Sequence, residues 1–381
     1  MTRRIRVLSV LSSSNQMYSG IGRAVFELAE RLQDRVEFEF AIDDLDERNL
    51  ALVCSFANSR GIPLHIGKGR KRAEALDNGN EGLPSLLRSN RWDAVECVCW
   101  ANADTNEAVL NGLGDVPLIF TPHHQPSWSV PMNGPQAGFT DACYRSVIRR
   151  ADLVLCDSPW ERREVAKMAP DLDNTTYLPL GCDFDSFRAG SITRKDQLLF
   201  VGDLSEPRKR FDRVVALIRR LRADRPGLRL VVIGNRSEHA ASVIPADLRG
   251  AVELRGYASE HELSVAYADS LGLVLLSEFE AFGIPILEAL ASGTPVFLSR
   301  IAPTFSLFGD CRGAHFCPAE DVEQTASIVN EVLDRSRAEI EATIRDRDRL
   351  RSRFGWDRLA AQKWSLISAA WFGRRKWAWT A

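Results

Sequence analysis

The sequence predicts an α/β protein made of two doubly wound parallel-sheet domains in tandem. Three observations carry this reading. Short apolar runs alternate with helical patterns through the first half, the same rhythm restarts in the second, and 381 residues exceed one ordinary core. Such alternation covers both faces of a parallel sheet with helices and gathers ligands at the carboxyl ends of the strands.

In the first half, Ile5 to Leu11 reads as a strand, Gly22 to Gln33 as an amphipathic helix and Val36 to Ile42 as a second strand. Residues 67–91, rich in Gly, Arg, Lys and Asn, read as a loop with a short helix. Strands follow at Trp92 to Trp100, Val116 to Thr121 and Ala151 to Cys156, then a helix over Pro159 to Met168. Asp157-Ser158-Pro159 is a helix cap followed by a proline suited to the first turn. The second half gives strands at Leu198 to Gly202, Leu228 to Gly234, Val252 to Leu254 and Leu271 to Leu276. Helices are expected over Phe211 to Ala223 and Ser259 to Ala268. Pro, Gly and polar residues interrupt the alternation between Leu180 and Arg194, which places the division at 1–183 and 184–365, with a terminal helical segment 366–381.

Hydrophobic residues at 45% and charged residues at 26% match a globular protein in water, and a formal net charge of −2 gives no basic stripe for nucleic acid. Eight cysteines are scattered, and Cys97 and Cys99 lack the second pair of a zinc site. Reduced, buried thiols in a cytosolic protein are the expectation. The basic N-terminus precedes too short an apolar run for a signal peptide, and no apolar span approaches membrane thickness. The basic run Gly67 to Arg72 and the Trp/Arg/Lys cluster from Trp371 to Trp379 leave open a peripheral contact at the inner face of a membrane. A solvated loop and simple packing are the preferred readings of the two.

The most informative stretch runs from Ser277 to Val296 and sets Glu280 and Glu288 eight positions apart. It reads as strand end, acidic loop, Phe282-Gly283 turn, then a helix with Pro285 in its first turn. That order presents backbone N–H groups of Phe282, Gly283 and Ile284 and a positive helix end to an anion, with carboxylates close by to accept hydroxyl hydrogen bonds. A ligand carrying both phosphate and many hydroxyls, such as a nucleotide sugar, fits.

Four sub-motifs in order then resemble the donor half of glycosyltransferase family 4, the retaining enzymes of the GT-B fold. They are Phe200-Val-Gly202 with Glu206-Pro-Arg-Lys209, Val231-Val-Ile-Gly234, Arg255-Gly-Tyr257 with Tyr267-Ala-Asp269, and the Glu280/Glu288 signature. The resemblance implies a basic loop, Arg208 and Lys209, for the diphosphate, with Gly202, Gly234 and Arg255 lining the donor pocket. It implies Glu288 at the ribose hydroxyls and Glu280 near the transferred sugar. Asp203 stands where many members have an arginine, which puts more of the phosphate on Arg208, and Arg210 is a near-duplicate charge. The fold implied is GT-B: two Rossmann-like domains facing across a cleft, the first binding acceptor, the second donor, the last helix packing back on the first.

Signals in the first half are weaker. Ser19-Gly20-Ile-Gly22-Arg23 lacks the third glycine of a dinucleotide fingerprint. It resembles the family's glycine loop, where Gly20 and Gly22 border diphosphate or acceptor. His123 and His124 end a strand; adjacent residues point apart and chelate poorly, and by resemblance His123 contacts the sugar. Gly181, Asp183 and Phe187 resemble the family's linker. Asp43-Asp-Leu-Asp46 could hold a divalent metal but reads as a solvated turn.

The expectation is a retaining, metal-independent glycosyltransferase with no cofactor. Its donor is a nucleotide sugar, and its acceptor a glycan, a lipid-linked saccharide or a small molecule. A phosphorylase or sugar-nucleotide epimerase on the same fold, and a non-catalytic sugar-nucleotide-binding protein, are the alternatives.

Overall fold

The computed structural model describes residues 3–11, 20–42, 54–55, 57–66, 83–89, 91–98, 103–123, 135–204, 206–234 and 243–378. The turn Asp43 to Asp46, the basic run Gly67 to Arg72, Cys99 and His124 lie outside these residues, as do the side chains beyond Phe372. The chain divides into two compact units, Met1–Leu180 with Trp356–Ala381, and Gly181–Gly355. The segment belonging with the N-terminal unit thus begins at Trp356, upstream of residue 366.

In the first unit the strands are β1 (Ile5–Leu11), β2 (Val36–Ile42), β3 (Leu64–Ile66), β4 (Ala94–Val98), β5 (Leu118–Thr121), β6 (Leu153–Cys156) and β7 (Thr175–Tyr177). They form one sheet in the order β3-β2-β1-β4-β5-β6-β7, every pairing parallel. Its helices are α1 (Gly20–Leu32), α2 (Leu83–Arg88), α3 (Ala103–Gly112), α4 (Pro135–Arg150) and α5 (Pro159–Met168). The central strands are buried along almost their whole length, as strands covered on both faces must be. On α1 the buried residues Ala24, Val25, Leu28, Ala29 and Leu32 recur at helical spacing and turn one apolar stripe to the sheet.

The second unit holds β8 (Lys195–Val201), β9 (Arg229–Ile233), β10 (Val252–Leu254), β11 (Ser270–Leu275), β12 (Val296–Ser299) and β13 (Ala314–Cys317), in the order β10-β9-β8-β11-β12-β13, again all parallel. Its helices are α6 (Phe211–Asp224), α7 (Glu260–Asp269), α8 (Ile284–Ala291), α9 (Ala302–Phe308), α10 (Val322–Asp334), α11 (Ser336–Arg345) and α12 (Arg347–Phe354). The last helix, α13 (Trp356–Ala378), returns to the first unit and packs on α1. Among the described residues, no helix is long and apolar enough to cross a membrane, and seven cysteines are free thiols.

The order of each sheet reverses once, between β1 and β4 and between β8 and β11. Connections leave opposite faces there, which opens a crevice at the carboxyl ends of the two strands. In the second unit the loops following β8 and β11 carry Gly202, Arg208, Lys209, Glu280, Phe282 and Gly283 of the residues singled out by the sequence.

Candidate active site

The loop after β8 begins at Gly202 and turns through Pro207–Lys209 before α6. Beside it, the loop after β11 holds Ser277 to Phe282, and the amide of Glu278 donates to Arg208 O at 2.8 Å. This main-chain bond brings the two loops into register. Lys209 Nζ then lies 2.6 Å from Glu280 Oε1, and Arg208 Nη1 lies 3.4 Å from Glu280 Oε2. Ser277 Oγ donates to Glu280 Oε1 at 2.8 Å. Burial alone would raise the Glu280 carboxyl, but the Lys209 and Arg208 charges outweigh it and hold the group below the usual carboxylate range. Glu280 is therefore an ionised, buried counter-ion to two cations.

Arg208 is further held by Phe279 O at 3.0 Å and by Glu206 Oε2, which lies 2.5 Å from its Nη2. Arg210, the near-duplicate, points elsewhere. Its backbone is left-handed at φ 45, and its guanidinium bonds Asp212 and Glu278. Arg208 and Lys209, and not Arg210, are the cations of this loop that meet Glu280.

Glycines make room for this loop. The Lys209 stem passes 3.5 Å from where a Cβ on Gly202 would stand. A Cβ on Gly234 would fall 1.8 Å from Gly202 O, so the ends of β8 and β9 meet only because residue 234 has no side chain. Arg255, at the end of β10, bonds Glu253 at 2.8 Å, and no bond among the described residues joins it to Glu280.

Glu288 sits in the second turn of α8, buried, and accepts the Tyr267 hydroxyl at 3.0 Å. Tyr267 packs edge-on against Phe187, ring centroids 5.9 Å apart. Phe187 closes a turn in which Asp183 accepts the amides of Asp185 and Ser186, so the expected linker residues buttress the helix that bears Glu288. Gly283 takes φ 86 at the start of α8, followed by the amide of Ile284 and a proline that has none. Phe282 is buried between Phe308 and Phe354, which fixes the turn. The far end of α8 is closed by Gly293 in the left-handed region, with Thr294 N donating to Ala289 O and Gly293 N to Leu290 O. Arg347 and Arg194 add guanidinium bonds to the Ala291, Ser292 and Gly293 carbonyls. Cations there complement the helix dipole.

In the first unit, Gly20 and Gly22 lie inside the first turn of α1 and not in a loop ahead of it. His123 follows β5 with a left-handed backbone, φ 54, and its Nδ1 lies 2.7 Å from Asp157 Oδ2, both side chains buried. The sequence pattern places Asp157 at a helix cap. Ser158 is the cap residue, accepting the Glu161 amide, while Glu161 Oε2 accepts the Asp157 amide at 2.6 Å. Sequence reasoning missed Glu161, although a Glu three residues after a Ser cap is the capping-box spacing that could have found it; no local spacing could have found the His123–Asp157 pair. Among the described residues no three His, Cys, Asp or Glu side chains are grouped so as to hold a metal ion.

Comparison with known proteins completes this picture. Residues 183–350 match the family model described as glycosyl transferases group 1, and residues 19–181 match a glycosyl transferase 4-like domain. The chain belongs to glycosyltransferase family 4. This family 4 enzyme is 27% identical over 301 residues to a glycogen synthase of Mycobacterium tuberculosis, covering 76% of this chain and 72% of the relative. It is 23% identical over 380 residues to a phosphatidyl-myo-inositol mannosyltransferase of Mycolicibacterium smegmatis, covering 94% and 92%. Among solved structures, HepE of Anabaena, crystallised with UDP and glucose, superposes with a TM-score of 0.75 at 14% identity over 96% of this chain and all of that one. The fold is GT-B, and the activity is sugar transfer from a nucleotide-sugar donor.

Proposed function

We propose that the enzyme transfers a sugar to an acceptor hydroxyl with retention of anomeric configuration and without a metal ion. The observation that carries this reading is Glu280, one buried carboxylate holding Lys209 and Arg208 together at the switch point between β8 and β11. Breaking a glycosyl–phosphate bond leaves a nucleoside diphosphate with added negative charge. Fixed cations aimed at that charge commonly contribute more to catalysis than any other single effect. Arg208 supplies a planar fork and Lys209 a point charge, the work a divalent ion does elsewhere. The amides of Phe282, Gly283 and Ile284 add the positive end of α8.

In this reading Glu288 takes the ribose hydroxyls, while Glu280 lies beside the sugar and keeps the cations in place as the phosphate leaves. Gly202 and Gly234 let the diphosphate approach main chain, and Arg255 borders the nucleotide. Gly20 and Gly22 border the diphosphate or the acceptor, and His123 contacts the sugar. The leaving phosphate departs on the face where the acceptor hydroxyl attacks, through an oxocarbenium-like state. A glycan, a lipid-linked saccharide and a small metabolite are all chemically suitable acceptors. The cytoplasm, where nucleotide sugars are made, suits such an enzyme, and the inner face of a membrane suits a lipid-linked acceptor.

Nucleotide release from UDP-glucose and GDP-mannose, measured with a panel of acceptors, tests the reading. Turnover should survive EDTA, fall sharply in Glu280→Ala and Arg208→Ala, and give a product whose anomeric proton coupling matches the donor's. Dependence on inorganic phosphate would indicate a phosphorylase, and product without acceptor an epimerase. Binding without turnover would indicate a sugar-nucleotide-binding protein.

A further inference from the structure

At the carboxyl ends of β5 and β6, Thr121 Oγ1, His123 Nε2, Asp157 Oδ1 and Glu161 Oε1 are all buried without a hydrogen-bond partner. Buried polar atoms are normally paired, so a group of orphans in one neighbourhood requires an account. The same place holds a backbone outlier. His123 is a non-glycine residue at positive φ, a conformation that the surrounding structure must impose. A histidine serving only to fill the core needs neither feature.

We infer that Asp157 is the positioning residue that fixes His123 as an Nδ1-protonated imidazole, so that Nε2 becomes a hydrogen-bond acceptor for a hydroxyl of the sugar substrate. The inference rests on the reading of the chain as a sugar transferase. An ionised carboxylate only accepts hydrogen bonds, so the proton shared at 2.7 Å belongs to Nδ1. In the neutral ring the other nitrogen then carries a lone pair. Glu161 supports this assignment. Burial pushes its carboxyl well above the ordinary range, and the adjacent Asp157 raises it further. Glu161 also ties the Asp157 main chain to the first turn of α5, so Asp157 meets the ring from a fixed position. Because Nε2 is buried, its hydroxyl partner is enclosed with it and bonds without competition from bulk water.

The hydroxyl belongs either to the transferred sugar or to the acceptor, and the test separates them. Long-range 1H–15N correlation on the full chain with 15N-labelled histidine reports the tautomer of each ring, and His123→Asn identifies the resonance. Wild type should show a protonated Nδ1 and a bare Nε2. Asp157→Asn should shift the ring toward the Nε2–H form and lower kcat/KM about 10- to 100-fold, the range expected for one buried hydrogen bond to the substrate. His123→Asn keeps a donor for Asp157 and tolerates positive φ, so it should stay folded and lose activity to the same degree. If the partner is on the donor sugar, hydrolysis of UDP-glucose or GDP-mannose without acceptor falls in parallel with transfer. If it is on the acceptor, hydrolysis is unchanged and only transfer falls. An Nε2–H ring in wild type, or an Asp157→Asn enzyme with wild-type tautomer and kinetics, overturns the inference. If no nucleotide sugar is turned over by wild type, the transferase reading fails instead, while the tautomer still shows whether Asp157 sets the ring.

Discussion

Lys209 Nζ lies 2.6 Å from Glu280 Oε1, and the two side chains are 9% and 8% exposed. Removing one partner of such a pair strands the other charge out of water, at a cost of about 3–5 kcal/mol. Lys209→Met should therefore destabilise the second unit by that order, less whatever Arg208 and Ser277 recover at the carboxylate. Glu280→Gln should do comparable damage by stranding Lys209. Denaturation followed by a probe confined to Gly181–Gly355 is the measurement, because two units need not unfold together.

The pair also sets an acid limit. The Glu280 carboxyl has a folded-state pKa below its ordinary 4.5, so its stabilisation is complete above that value and is lost as pH falls through the lower one. Wild type should lose melting temperature below about pH 4.5 more steeply than Glu280→Gln, and the two curves should converge in acid. Parallel curves would show that Glu280 is not the group responsible.

Glu206 offers a different prediction, one that depends on the proposed function. Its carboxylate lies 2.5 Å from the Arg208 guanidinium, and with side-chain exposures of 43% and 29% the contact is partly open to solvent. Counting Arg208 and Lys209 against Glu206 and Glu280, the charges balance, so an arriving diphosphate must compete with a carboxylate for Arg208. Glu206→Gln should bind UDP or GDP several-fold more tightly in titration calorimetry. The gain should shrink as salt is raised, since partly exposed charges are screened. Weaker binding by the variant would mean Glu206 positions Arg208 and does not compete for it.

What the sequence made legible follows the range of the interactions involved. Pro159–Met168 could be read to the residue because Ser158 and Pro159 mark its start. The loops after β8 and β11 stood out because Arg208, Lys209, Glu280 and Glu288 lie within short motifs that fold locally. Thr175–Tyr177 and Ala314–Cys317 were missed, being edge strands of three and four residues, mostly half-buried, with too little alternation to register. The pairing of His123 with Asp157, 34 positions away, depends on β5 and β6 lying side by side, which no local pattern states. Tyr267 as the partner of Glu288 was hidden in the same way, although both residues stood in recognised motifs.

Glu161 gives a prediction with the opposite sign to Glu280. Its folded-state pKa is raised above the ordinary 4.5, first by burial and then by Asp157, so the folded protein binds a proton that the unfolded chain releases. Stability from this group is complete below that value and is lost as pH rises through the raised one. Glu161→Gln mimics the protonated carboxyl and can still accept the Asp157 amide. Its melting temperature should match wild type near pH 4 and exceed it by a few degrees at pH 8, a difference on the order of 1 kcal/mol or more. A variant less stable than wild type at pH 8 would mean Glu161 is ionised in the fold.

The return of α13 to the first unit is fastened by a second buried charge pair. Lys363 Nζ lies 2.7 Å from Glu96 Oε1 on β4, with side-chain exposures of 3% and 2%, and Ser9 Oγ on β1 donates to the other carboxylate oxygen at 2.9 Å. The ammonium also lies 5.8 Å from the centre of the Phe38 ring. Apolar packing of α13 against α1 could slide by a turn; a single cation meeting a single buried carboxylate cannot. Lys363→Met should leave Glu96 uncompensated, cost about 3–5 kcal/mol in the first unit and raise amide exchange along α13 before other helices. Replacing both, as Lys363→Met with Glu96→Leu, should restore most of the stability, because an apolar pair of similar volume avoids desolvating two charges. If the double variant is as stable as wild type yet exchanges α13 amides faster, the ion pair fixes the helix's position more than it stabilises the fold. If the double variant is no better than Lys363→Met alone, Ser9 needs the carboxylate, and the three residues act as one network.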